Sequence, residues 1–522
     1  MMFYQSPAAA INSIWKRIPF NVKVAFLSAF TIGLITHAFM LTNMLPNHDE
    51  IAQLVGNPDH NFAGRWFLRY PAAISSIFSM PWVNGLLSVI YMSVSASLTV
   101  SLTKMKKGIY CALAAGLMVT IPSVAATLTY MQLSDAYFFA LMLACFAAFI
   151  AERYKYGYIA AVIPIVLSLG IYQSYFSVAA GLLILILLME VLRDKAPPKA
   201  VLLKGLRFLG TLGVSMAAYI IIVRLTMPST GLSAYQDIEQ LGQVSLSGLP
   251  FSILRAYGWI AGYFIVDARN FHFSFMPVVF SIAILLCLVL LTLWCIRRKI
   301  HKDSRKMALL IALLILFPLG CNIVYLMGAS WEHDLMIYAT VLIPVFLLLI
   351  VDLFTDEDFA QMKKVKSLHA RAAVLSCWVL TASVALCVFN YVITCNQAYI
   401  KMSYAYEQTY AQSLLLVSQV QAVDGYTSET EIVLVGTPRL ENGIPELNDI
   451  TVTAAYGVEL FGDWSYPYFL KRYLNFTQST VFLRDGVISD PGIAAAVSRM
   501  PPYPDAGSVA MIEGKIYVNF VR

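Results

Sequence analysis

The sequence predicts an all-α polytopic membrane protein with about eleven spanning helices and a C-terminal extracytoplasmic α/β domain. Three observations carry that expectation. Hydrophobic residues make up 59% of the 522 and charged residues only 13%, about half of the roughly 25% usual in soluble domains. Apolar runs of bilayer-spanning length, about 20 residues each, recur from Val24 to Thr394. After Cys395 the composition turns polar.

The first run, 24–45, follows Lys16, Arg17 and Lys23. It is longer than a signal-peptide core and lacks a small-residue cleavage site, so it is expected to remain as the first span. Further spans are expected at 81–103, 108–128, 135–151, 157–172, 176–192, 205–226, 277–296, 307–327, 335–352 and 372–394. Only the polar step Tyr172-Gln173-Ser174 separates the fifth from the sixth.

Orientation follows from the cations, because Lys and Arg collect on the cytoplasmic side of membrane proteins. With the N-terminus inside, the inner segments hold twenty-three Lys and Arg and the outer loops and span ends hold five. An odd number of spans then carries the C-terminus outside. Two outer loops are long. Segment 46–80 has amphipathic helical character from Phe67 to Met80, and 227–276 is rich in aromatics and expected to lie along the interface.

The chain divides into a membrane domain, 1–395, and a soluble domain, 396–522, long enough for its own core. In the latter a helix is expected near Tyr399–Val420, with strands in Glu431–Pro438, Thr480–Leu483 and Lys515–Val521. The eight cysteines form no CxxC pair or Cys/His cluster, and none follows Cys395, so zinc and thiol redox chemistry are not expected. The cations are not interleaved with aromatics, which argues against nucleic acid as a partner.

The sharpest chemical signal is Asp49-Glu50, set immediately after the first span by Met44-Leu45-Pro46. An enzyme that takes sugar from a lipid phosphate needs a carboxylate at headgroup level, because the attacking hydroxyl must lose its proton there. A helix cap or a solvated loop charge would give the same residues. Arg65 and Arg69 share the loop. A guanidinium matches a phosphate through paired donors, although both could equally snorkel to headgroups. Trp66 offers a stacking face or an interfacial anchor. Ser134-Asp135 opens the fourth span and also reads as an N-terminal cap. Tyr172 and Gln173 could bind sugar hydroxyls or simply satisfy a turn. Trp331-Glu332-His333-Asp334 could bind sugar or phosphate, or merely end two helices. His48, Asp59 and His60 raise the thought of magnesium or manganese, but no cofactor or metal is favoured.

The acid-bearing loop, Gly64-Arg65-Trp66 and Leu169-Gly-Ile-Tyr-Gln-Ser174 together resemble the type II O-antigen glucosyltransferases. These bacterial serotype-converting enzymes are related to the GT-C superfamily. The resemblance covers the chain to about residue 395 and, beyond it, the architecture alone. It implies an inverting membrane glucosyltransferase of the bacterial inner membrane. Such an enzyme moves glucose from undecaprenyl phosphate to O-antigen lipopolysaccharide, or another envelope glycan, on the periplasmic face. A donor synthase and a small flippase are its usual partners. The resemblance casts Asp49 as general base with Glu50 as the alternative, and Arg65 or Arg69 on the donor phosphate. Trp66, Asp135, Tyr172, Gln173, Trp331, Glu332 and His333 would line the sugar and acceptor. Two other classes fit the span count. An O-antigen polymerase or ligase would place basic residues in large loops between late spans. A transporter or lipid-sugar flippase would carry midplane charges and inverted repeats.

Overall fold

A computed structural model describes residues 6–52, 63–76, 78–226, 248–268, 271–326, 334–355, 357–359, 368–437 and 465–521. It is mostly helical (76%). The chain opens with α1 (Pro7–Arg17), capped by the Ser6 hydroxyl, and α2 (Phe20–Thr42). The one-turn helices α3 (His48–Ala52) and α4 (Arg69–Ala72) follow, then α5 (Pro81–Thr103). The amphipathic helix expected from Phe67 to Met80 is only α4 plus a 3-10 turn, Ala73–Ser75. Pro71 and the left-handed Ser76 cut it short.

Helices α6 (Gly108–Thr120) and α7 (Pro122–Leu128) form one apolar pair bent by 43°. Pro122 donates no hydrogen bond and holds Ile121 extended, so the helix breaks there. Helix α8 (Met131–Arg153) precedes the short pair α9 (Gly157–Ala160) and α10 (Val162–Ile171). Helix α11 (Phe176–Leu192) is the most enclosed of the helices long enough to span, whereas α12 (Pro198–Thr226) turns a leucine-rich face outward. After α13 (Leu249–Ala261), continued by a π-turn at Gly262–Val266, come α14 (Met276–Arg297), α15 (Ser304–Cys321), α16 (Ile323–Leu326) and α17 (Leu342–Leu353).

Among the described residues nine helices are long and apolar enough to cross a membrane, ten if the bent pair is one span. The pairs at 157–171 and 338–353 are apolar but shorter. Leu249–Val266 is among the nine. Ala256 O accepts from Asn322 at the end of α15 (3.5 Å), and Phe264 packs on Phe280 at the start of α14 (5.0 Å). Residues 227–247, the first part of the loop expected along the interface, lie outside the described residues.

The span expected at 372–394 and the helix expected near 399–420 are one helix, α18 (Leu368–Gln421), of 54 residues. At a rise of about 1.5 Å per residue it is about 80 Å long, far more than a bilayer needs. Its middle is locked into the bundle by His37, whose Nδ1 lies 2.7 Å from Tyr399 Oη and whose Nε2 lies 2.7 Å from Val119 O. Its last turns enter the core of the C-terminal domain through Leu416, Val417 and Val420.

That domain holds a four-stranded sheet of β1 (Ile432–Val435), β2 (Thr480–Leu483), β3 (Val509–Ile512) and β4 (Lys515–Asn519) in the order β2-β1-β4-β3. Strand β1 runs parallel to β2 and β4, while β3 and β4 form an antiparallel hairpin. Glu513 and Gly514 both have positive φ (48° and 79°), the two-residue turn that matches strand twist. Helices α19 (Tyr466–Tyr473) and α20 (Pro491–Val497) complete the domain. Its core also contains Ile51, fully buried, from α3.

Candidate active site

At one end of the bundle the chain leaves α2 and turns at once into α3. Asn47 Oδ1 accepts from Glu50 N (2.9 Å) and Asn47 O from Ile51 N (3.0 Å), so the asparagine starts the turn that presents the acids. Asp49 is 28% exposed, with His48 Nε2 3.6 Å away. Burial raises its carboxyl above the usual range, and the charges of His48 and then Arg65 pull it back down. Glu50 is 1% exposed. The Ser79 hydroxyl donates to Oε1, while Oε2 is buried with no hydrogen-bond partner. Burial pushes this carboxyl well above the usual range, with the backbone bond at Asn47 opposing. Burial raises both adjacent acids, and the opposing pull of His48 and Arg65 acts on Asp49.

Arg65 is held over an aromatic floor. Its Nη1 donates to Tyr137 Oη (3.0 Å), and the guanidinium lies 5.1 Å from the Tyr172 ring centre and 5.8 Å from that of Tyr137. Such contacts orient a guanidinium without neutralising it. The loop can approach this closely because Gly64 has φ +71°, and a Cβ there would come within 2.5 Å of Tyr219 Oη. Gln173 pins the same stretch, donating to Ala63 O and Tyr219 Oη (2.8 Å each). Gln173 is therefore a holder of the loop.

Trp66 lies edge-on against α10, where a Cβ on Gly170 would meet its ring at 2.7 Å, and Phe67 N donates to Gly170 O (2.8 Å). Its indole Nε1 is buried without a partner. Arg69 is exposed, 5.4 Å from the ring of Tyr70, and does not share the Tyr137–Tyr172 floor.

Asp135 does not open its helix: α8 begins at Met131, and Tyr130 occupies the cap position. The cap reading of Ser134-Asp135 is overturned. Asp135 is buried one turn inside the helix, where Oδ1 accepts from Asn84 Nδ2 (3.3 Å). Asn84 in turn bonds Ser75 Oγ (2.9 Å) and Met80 N (2.9 Å). Asp135 thus fixes where the 63–80 segment meets α5 and α8.

Trp331, Glu332 and His333 lie outside the described residues, as do Asp59 and His60. No group of three His, Cys, Asp or Glu suited to a metal occurs among the described residues. Sequence reasoning missed Ser79, Asn84, Tyr137 and Tyr473. Asn84, an amide inside an apolar run, could have been found by its polarity, whereas Tyr137 is one aromatic among many in spans.

The fold and this end of the bundle describe a helical, membrane-type protein that gathers two acids and an arginine on its interhelical loops. Residues 38–351 match the family model for Glucosyl transferase GtrII. The chain belongs to that family of glucosyltransferases, as its loop motifs suggested. No curated protein and no solved structure matches the chain.

Proposed function

We propose that this glucosyltransferase takes glucose from undecaprenyl phosphate and places it on a hydroxyl of O-antigen or a related envelope glycan. The reaction would occur on the periplasmic face of the bacterial inner membrane, with the N-terminus cytoplasmic and the C-terminal domain periplasmic. The observation that carries the reading is that Asp49 and Arg65 lie at the same end of the bundle, near enough for the Arg65 charge to act on the Asp49 carboxyl, opposite the end where Lys104, Lys107, Arg193 and Lys306 gather.

In this reading Asp49 takes the proton of the acceptor hydroxyl as its oxygen attacks the anomeric carbon. The bond from that carbon to the phosphate oxygen breaks, and its electron pair leaves with the lipid phosphate. Arg65 meets the charge that develops on the departing phosphate. A single displacement inverts the anomeric centre. Asp49 is favoured over Glu50 because it is the more exposed of the two, and Arg65 and His48 oppose the rise that burial gives its carboxyl. No cofactor enters this scheme.

The test uses full-length protein in proteoliposomes with labelled undecaprenyl-phosphate glucose and smooth lipopolysaccharide. Label should move to the glycan while undecaprenyl phosphate is released in equal amount. Absence of release under conditions where the protein remains folded would refute the reading.

A further inference from the structure

Three buried polar atoms around α3 have no hydrogen-bond partner: Asn47 Nδ2, Glu50 Oε2 and Tyr473 Oη. Polar atoms withdrawn from water without a partner are costly and uncommon. When several gather on different elements, a ligand that brings its own hydrogen bonds is the natural explanation. Here they come from two domains. Tyr473 ends α19 of the C-terminal domain, and the charge of Glu50 is among the influences that raise its hydroxyl, after burial.

The two elements are held in register. Arg472 Nη1 donates to Ile51 O (2.6 Å), and the Ile51 side chain is buried in the domain core with Phe469 and Leu470. Glu50 and Tyr473 therefore flank one place and cannot drift apart without unseating that contact.

We propose that Glu50 and Tyr473 form a subsite for a hydroxyl of the acceptor sugar, so that acceptor recognition is completed only across the two domains. A sugar hydroxyl is both donor and acceptor. It can give its proton to Oε2 of Glu50 while accepting from Tyr473 Oη, which satisfies both atoms at once. The acceptor is a better occupant than the donor because Arg65, where the donor phosphate is placed, faces Tyr137 and Tyr172 in the bundle. Tyr473 belongs to the domain beyond it. The subsite rests on the transferase reading above and assigns Tyr473 as a binding residue for that reaction.

Tyr473→Phe removes a single oxygen and keeps the ring that packs on Tyr406 and Phe469. In the proteoliposome assay it should raise the KM for lipopolysaccharide about tenfold, the loss of one hydrogen bond, with kcat and the KM for the lipid donor little changed. Glu50→Gln should raise the same KM. If both groups hold one hydroxyl, the double variant should be little worse than the poorer single one.

An unchanged lipopolysaccharide KM in Tyr473→Phe would overturn the subsite, whether the place holds only water or only packs the domains. Single effects that multiply in the double variant would overturn it as well. If Tyr473→Phe fails to fold, the KM of Glu50→Gln alone decides: unchanged, it refutes the subsite. The two levels of failure are separable. A wild-type protein that releases no undecaprenyl phosphate defeats the transferase reading and the subsite with it. A wild type that transfers normally beside an indifferent Tyr473→Phe defeats the subsite alone.

Discussion

At the lysine-rich end of the bundle, opposite charges meet. Lys204 bridges Glu152 and Glu190 (2.5 Å each), and Lys104 reaches Glu152 (3.3 Å). Lys306 pairs with Asp194 and Arg297 with Asp358. Asp352 collects the backbone amides of Lys106 and Lys107 (2.9 and 3.0 Å), and Arg193 caps Thr103 O (2.6 Å). At the other end acids are held by neutral groups: Glu50 by Ser79, Asp135 by Asn84. Such an arrangement contributes little to stability, since burial disfavours the charged form of each carboxyl. One end is organised to hold loops together. The other holds buried acids whose carboxyls are raised, as expected where chemistry is done.

That contrast can be broken by matched substitutions. The largest effect is expected from Asp49→Asn, which should lower kcat by about a thousandfold, within the range for loss of a positioned base. Asp352→Asn at the opposite end should leave kcat intact and lower stability by about 1–3 kcal/mol, as a buried acceptor loses its charged bonds. Equal loss of kcat in both would erase the distinction between the ends. Steady-state transfer rates and thermal midpoints in detergent decide it.

Arg65→Lys comes next. Lysine keeps the charge but loses the planar fork and its place over Tyr137 and Tyr172, so transfer should fall about thirtyfold, or about 2 kcal/mol. Activity near wild type would mean that charge alone suffices. Gly64→Ala should destabilise the loop by about 1–3 kcal/mol, because alanine must adopt a left-handed backbone with its Cβ 2.5 Å from Tyr219 Oη. A thermal midpoint equal to wild type would contradict it.

The smallest effect concerns pH. The folded protein raises the Glu50 carboxyl well above its ordinary value, so above that value the folded chain holds a proton that the unfolded chain has lost. Stability should therefore decline as pH climbs from the ordinary carboxylate range through the raised one. Glu50→Gln should flatten that slope, seen as thermal midpoints across a pH series. A slope identical to wild type would show that Glu50 is ionised in the folded state.

Much of the fold was legible because a bilayer demands long apolar helices, and the runs at 81–103 and 176–192 coincide with α5 and α11. The same reasoning failed where length carried no information. Phe67–Met80 looked amphipathic but Pro71 and Ser76 allow only single turns. Val509–Ile512, not expected as a strand, is β3, held by its antiparallel pairing with β4. Asp135 looked like a cap because Ser precedes it, whereas the helix starts a turn earlier at Met131.

By itself the sequence determined which segments avoid water, where the cations gather, and that acids and an arginine follow the first span. Those properties are local, since each is set by residues adjacent in the chain. Tertiary structure alone decided that Arg65 lies on Tyr137 and Tyr172, that Glu50 is sealed while its neighbour Asp49 is not, and that Tyr473, over four hundred residues away, comes near enough to feel the charge of Glu50. Burial and electrostatic partners depend on which distant surfaces meet, and no pattern of neighbouring residues encodes that.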